Sequence, residues 1–84
     1  MKFFKLVLSE KREKDDFLCE TSHDRYIKAE NRDNAYNKAL KTAAMFLSHY
    51  PGSSIGIPDK DFIFWFSDNY IAIWINSLEE IEIV

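Results

Sequence analysis

Hydrophobic and polar positions alternate from the start of the chain. Phe4, Leu6 and Leu8 fall on one side of an extended segment, with Phe3, Lys5 and Val7 on the other, which predicts a strand over residues 2–8. The run Glu10-Lys11-Arg12-Glu13-Lys14-Asp15-Asp16 has no apolar position to bury and reads as a charged hairpin loop. A second strand is expected from Phe17 to Thr21. A turn or bend follows at Ser22-His23-Asp24, and extended structure resumes from Arg25 to Ala29.

The period then changes. Asn31 is suited to cap a helix N-terminus, and Pro51-Gly52 supplies a stop. At about 100° per residue, Ala35, Tyr36, Ala39, Leu40, Ala43, Phe46, Leu47 and Tyr50 share one arc. Lys38, Lys41, Asn37, Thr42, Ser48 and His49 lie opposite. Three alanines within the apolar arc let this helix approach a sheet closely, so the stripe is core.

The last third is nearly continuous apolar strand. Asp68-Asn69 tolerates the positive φ of a two-residue hairpin turn. That turn pairs Phe66 with Ile71, Phe64 with Ile73 and Phe62 with Ile75, all on one face. Ile63, Trp65, Tyr70, Ala72 and Trp74 take the other. A final strand runs from Glu80 to Val84, with Ile81 and Ile83 alternating against Glu80 and Glu82. The expected fold is α+β: an antiparallel sheet of four to six strands with one amphipathic helix on one face, in the order β-β-(β)-α-β-β-β, as a single domain over 1–84.

One helix covers one face of such a sheet, and the Phe/Ile face is its natural partner. The face with Trp65 and Trp74 is then either roofed by the loops 9–16 and 51–60 or left as a surface for a partner protein or a second copy of the chain. Candidate partner-binding residues are Ile63, Trp65, Tyr70 and Trp74, together with the acids Glu79, Glu80 and Glu82.

Composition narrows the class. With 46% hydrophobic and 15% aromatic residues in 84 positions, the chain has enough apolar content for a core and is poorly suited to disorder. One cysteine, Cys19, cannot form an internal disulfide, and it reads as a small buried hydrophobe. No apolar run reaches the length of a signal or membrane segment, so a cytoplasmic setting without membrane contact is expected. Charge is uneven: residues 1–50 carry ten Lys/Arg and eight Asp/Glu, whereas residues 51–84 carry Lys60 against six acids. An acidic second half disfavours a nucleic-acid footprint there and suits a basic partner. The same acids also serve simply to keep a sticky sheet in solution.

Signs of catalysis are missing. Glycine occurs only at Gly52 and Gly56, too few for a phosphate-cradling loop. His23 and His49 lie in different elements, without carboxylate or thiol at metal-site spacing. The neighbours Cys19, His23 and Asp24 lack a scaffold that would make a nucleophile of the thiol. No enzyme activity, metal or cofactor is expected. Arg25, Lys28, Arg32, Lys38 and Lys41 form a candidate basic stripe for nucleic acid.

The segment Arg25-Tyr26-Ile27-Lys28-Ala29-Glu30-Asn31, running directly into a helix with Ala35 and Ala39, resembles small phage-encoded α+β inhibitors. In layout the chain is similar to a type I-F anti-CRISPR: strands, a helix, then a meander. The resemblance implies a binder that blocks a larger host nucleic-acid-binding complex by occupying its surface. It carries no catalytic residues, and the charged segment 9–24 and acidic end depart from it. The expected function is a non-enzymatic protein–protein inhibitor or adaptor, an anti-defence protein acting by steric occlusion or acidic mimicry. The alternatives are an immunity protein that neutralises a basic toxin and a single-stranded nucleic-acid-binding module using the aromatic face.

Overall fold

The computed structural model describes residues 1–12, 21–48, 55–66 and 70–82. Five strands and one helix follow in the order β1 (Lys2–Arg12), β2 (Thr21–Ala29), α1 (Arg32–Ala44), β3 (Ile57–Pro58), β4 (Phe64–Phe66) and β5 (Ile71–Ile81). They form one antiparallel sheet ordered β2-β1-β5-β4-β3, with α1 on one face. The α+β class with a single helix is as the pattern predicts, and the first and last long strands are neighbours at its centre.

The core lies between that face and α1. Phe4, Leu6 and Leu8 of β1, Ile27 and Ala29 of β2, Ile71, Ile73 and Leu78 of β5, and Phe64 and Phe66 of β4 are all buried. From the helix come Ala35, Ala39 and Ala43, each at 0% exposure, with Leu47 beyond it. Small side chains on this stripe bring the helix backbone down onto the central strands. Asn31 caps α1, its Oδ1 accepting from the Asn34 amide at 2.9 Å.

Several local expectations are corrected. β1 continues through Glu10, Lys11 and Arg12, which the charge pattern assigns to a loop. Ser22, His23 and Asp24 are not a bend but the first half of β2, paired with Ser9, Leu8 and Val7. The reason for both is mutual. Glu10 Oε2 accepts from Arg12 Nε at 3.0 Å, and its Oε1 lies 3.3 Å from His23 Nε2, so a largely buried carboxylate has Arg12 and His23 beside it inside the ladder. Residues 13–16 of the expected loop, and Phe17 to Glu20 of the expected second strand with Cys19, lie outside the described residues.

The helix also ends early, at Ala44. In a continuing helix the Ala44 carbonyl would accept from the Ser48 amide. Instead the incoming chain supplies Gly56 N–H at 2.7 Å, and the Ser48 amide turns to Met45 at 3.0 Å. His49, Tyr50 and the expected stop at Pro51-Gly52 lie outside the described residues.

β5 merges what the pattern divides into two strands. Val7 pairs with Ser77 but Leu8 pairs with Ile75, so Asn76 is an extra residue, a β-bulge. The inward positions are odd before it (Ile71, Ile73, Ile75) and even after it (Leu78, Glu80). Asn76 Nδ2 donates to the buried Ser9 hydroxyl at 3.0 Å and fixes the bulge. The β4–β5 register is the expected one, Phe66 opposite Ile71 and Phe64 opposite Ile73, although the turn at Asp68-Asn69 lies outside the described residues. Phe62 does not extend that ladder to Ile75. It sits in a turn at φ 59° and is 56% exposed.

Candidate functional site

The sheet face opposite α1 follows from the registers. Phe3, Lys5, Val7, Ser9 and Lys11 of β1 share it with Asp24, Tyr26 and Lys28 of β2, and with Ala72, Trp74, Ser77, Glu79 and Ile81 of β5. Trp65 of β4 stands opposite Ala72 on this face, diagonal to Trp74, and Ile57 of β3 lies beyond it. Among the described residues no helix lies on this side. Phe3, Val7, Trp65, Trp74 and Ile81 are half-buried there, while Tyr26 and Ile57 are 67% and 76% exposed.

Charges interleave with the rings. Lys28 Nζ lies 5.6 Å from the Phe3 ring centroid, and Lys5 Nζ is 3.8 Å from Asp24 Oδ2. Lys5 is also directly opposite Glu79 in register. The face is therefore an apolar and aromatic surface crossed by a short polar stripe, a composition typical of protein interfaces.

Trp65 is held in place. Its indole Nε1 donates to Asp59 Oδ2 at 3.0 Å, and Asp59 Oδ1 accepts from the amides of Asp61 at 2.8 Å and Ile63 at 3.1 Å. The bond from Trp65, then that from the Ile63 amide, keeps the Asp59 carboxyl below the ordinary aspartate value. Asp59 escapes a search for functional residues because it looks like one more surface acid. The Asx-type spacing to Asp61 was its one visible signal.

The predicted site residues do not form one surface. Trp65 and Trp74 share the open face as expected, and Glu79 is on it. Tyr70 is not: it precedes the ladder, its amide bonded to the Phe66 carbonyl at 3.1 Å, and its ring packs against the core. Ile63 lies in the Asp59 turn, outside β4, where the strand alternation no longer applies. Glu80 follows the bulge onto the helix face, 3.4 Å from Lys2 Nζ. Glu82 is exposed past the end of β5. What the pattern left out is the contribution of β1, Phe3 and Val7, whose alternation was visible but whose place beside β5 was not.

The candidate basic stripe is also divided. Arg32 Nη1 donates to the Leu78 carbonyl at 2.9 Å on the β5 side of the helix, and Arg25 stands over the Phe46 ring at 5.3 Å. Lys38 and Lys41 remain together along the groove between α1 and β2, whereas the Lys28 ammonium lies over Phe3 on the open face. Among the described residues no three His, Cys, Asp or Glu side chains are grouped to hold a metal ion, and no helix is long and apolar enough to cross a membrane. No protein family, curated protein or solved structure matches the chain.

Proposed function

We propose that this chain is a non-enzymatic protein-binding module, an inhibitor or adaptor that docks through the helix-free face of its sheet. One observation carries the reading: Trp65 and Trp74 lie diagonally on that face, beside half-buried Phe3, Val7 and Ile81, with no helix over them among the described residues. Rings of this size lose little rotamer freedom on docking, and tryptophan is over-represented among residues that dominate interface energies. The bond from its indole N–H to Asp59 holds the Trp65 ring ready before any partner arrives. Occlusion of a partner's surface, the mode implied by the anti-CRISPR-like layout, requires no more than such a face. The test is affinity capture from a lysate of the encoding organism, with the wild-type chain beside Trp74→Ala and Tyr26→Ala. Loss of the same captured protein from both folded variants supports the reading, and equal capture by all three removes it.

A second reading has its own support. Because β1 adjoins β5, Lys5, Lys11 and Lys28 share the open face with Phe3, Tyr26 and Trp74, placing positive charge beside aromatic rings. Single-stranded nucleic acid is bound by that combination. Asp24 and Glu79 on the same face weigh against it. A gel-shift with single-stranded oligonucleotides over a salt series separates the readings, since phosphate binding weakens steeply with salt.

A further inference from the structure

Among the described residues the three sheet edges are finished differently. β3 ends the sheet with two residues, one of them Pro58, which blunts that edge. At β2 the Lys38 ammonium donates to the Lys28 carbonyl at 2.6 Å, in a groove shared with Lys41. β5 is finished less fully: β4 pairs only with Ile71 to Ile73, and from Trp74 to Ile81 the described residues supply the bulge at Asn76 and Arg32 on the Leu78 carbonyl, but no strand on that side. This half-edge lies inside the sheet order, yet among the described residues β1 is the one strand beside it.

The half-edge has the features of a strand acceptor. A cavity of about 400 Å³ opens on it, lined by Tyr36 of α1, by Asp61, Phe62 and Ile63 of the turn, and by Trp74 and Ile75 of β5. Phe62 and Tyr36 are exposed there. Main-chain groups are offered beside the cavity. Arg32 donates to the Leu78 carbonyl, which marks the side of β5 that faces away from β1, and an added strand would take that carbonyl from it. Residues two apart on a strand direct their N–H and C=O to the same side, so Glu80 shares the orientation of Leu78. Asp61, Glu79, Glu80 and Glu82 are exposed acids around the edge; Lys2 pairs with Glu80 and Lys5 stands opposite Glu79, with Arg32 and Lys60 also near.

We infer that β5 accepts an added strand from another protein, an extended segment rich in Lys or Arg. Its main chain would pair along Trp74 to Ile81, and one apolar side chain would enter the Tyr36–Phe62–Ile63 cavity. Strand addition takes affinity from the main-chain bonds and specificity from such a pocket. The four acids select a basic sequence. A second copy joined edge to edge through β5 would instead bring two sets of Glu79, Glu80 and Glu82 onto one seam, where like charges oppose pairing. The inference rests on the main-chain edge of β5 and does not need the Trp65 face as a binding surface, although Trp74 and Glu79 belong to both.

The test is a titration of the isotope-labelled chain, followed by amide shifts, with an acetylated peptide of roughly eight residues alternating lysine and valine. The expected result is shifts concentrated on Trp74 to Ile81. Binding should weaken about tenfold or more in the triple variant Glu79→Gln, Glu80→Gln, Glu82→Gln, whose fold is checked by its amide spectrum. A peptide of the same sequence with alternate amides N-methylated keeps its charge but lacks the ladder donors, and it should not bind. Equal binding of the methylated peptide, shifts elsewhere, no binding, or the same shifts arising from self-association without peptide would each overturn the inference.

Discussion

The carboxylate of Asp59 holds the indole N–H of Trp65 at 3.0 Å while it gathers the amides of Asp61 and Ile63 on its other oxygen. A turn and an aromatic anchor thus share one acceptor group. Asp59→Asn should lower the melting temperature, because an amide cannot accept on both of its ends. The pH dependence has a definite sign. A carboxyl whose folded pKa lies below its unfolded value stabilises the fold fully above the unfolded value, near pH 4, and loses that contribution as pH falls through the folded value. The gap between wild type and Asp59→Asn should therefore be constant at neutral pH and close in acid. A gap that persists unchanged well below the carboxylate range would show that Asp59 acts in some other way.

Gly56 lies against the buried Phe66 ring so closely that an added Cβ would stand 2.5 Å from its Cζ. The same residue supplies the amide that ends α1. Gly56→Ala should cost about 1–3 kcal/mol, as overpacking of a filled core does. Chemical denaturation measures it, and the loss should be recovered in part by Phe66→Leu in the same chain. A variant as stable as wild type would mean the ring yields freely.

Phe62 and Phe64 are two residues apart in a run of aromatic and β-branched side chains, yet one is 56% exposed and the other 4%. Phe64→Ala should destabilise by roughly 3–5 kcal/mol, a large part of the stability of a small domain. Phe62→Ala should change it by less than about 1 kcal/mol. Comparable losses from the two would refute the register of β4 on β5.

That pair also shows why the sequence was legible only in part. The helix start, its alanine stripe and the pairing of Phe64 with Ile73 depend on local periodicity, and each is found where the pattern puts it. Phe62 is lost from the strand because Asp59 closes a turn across it, a choice made by hydrogen bonds rather than hydropathy. Glu10 enters a strand because His23 and Arg12 meet it there, a match between segments that neither segment reveals alone. The parity change at Asn76 divides one strand into two apparent ones. Of the candidate site, the Trp65 and Trp74 positions were readable from their hairpin, whereas Phe3, Val7 and Lys5 required knowing that β1 lies beside β5. Glu80 was misplaced by the same bulge.

Trp65 and Trp74 give the sharpest test of the open face, because stability and binding should part company there. Both rings are half-buried in the monomer, and neither belongs to the cluster of buried core residues. Trp74→Ala should therefore cost clearly less than the roughly 3–5 kcal/mol expected of a buried aromatic such as Phe64. Trp65→Ala should cost somewhat more than Trp74→Ala, since it also leaves Asp59 without the indole donor. If the face docks a partner, either truncation should weaken association by about 2 kcal/mol or more, a loss far larger than surface positions usually carry. Melting temperatures and partner affinity measured on the same preparations decide the matter. Two variants that unfold as readily as Phe64→Ala would make the pair ordinary core and remove the face as a binding surface. Two folded variants with wild-type affinity would leave the fold intact and end the proposal for this face alone.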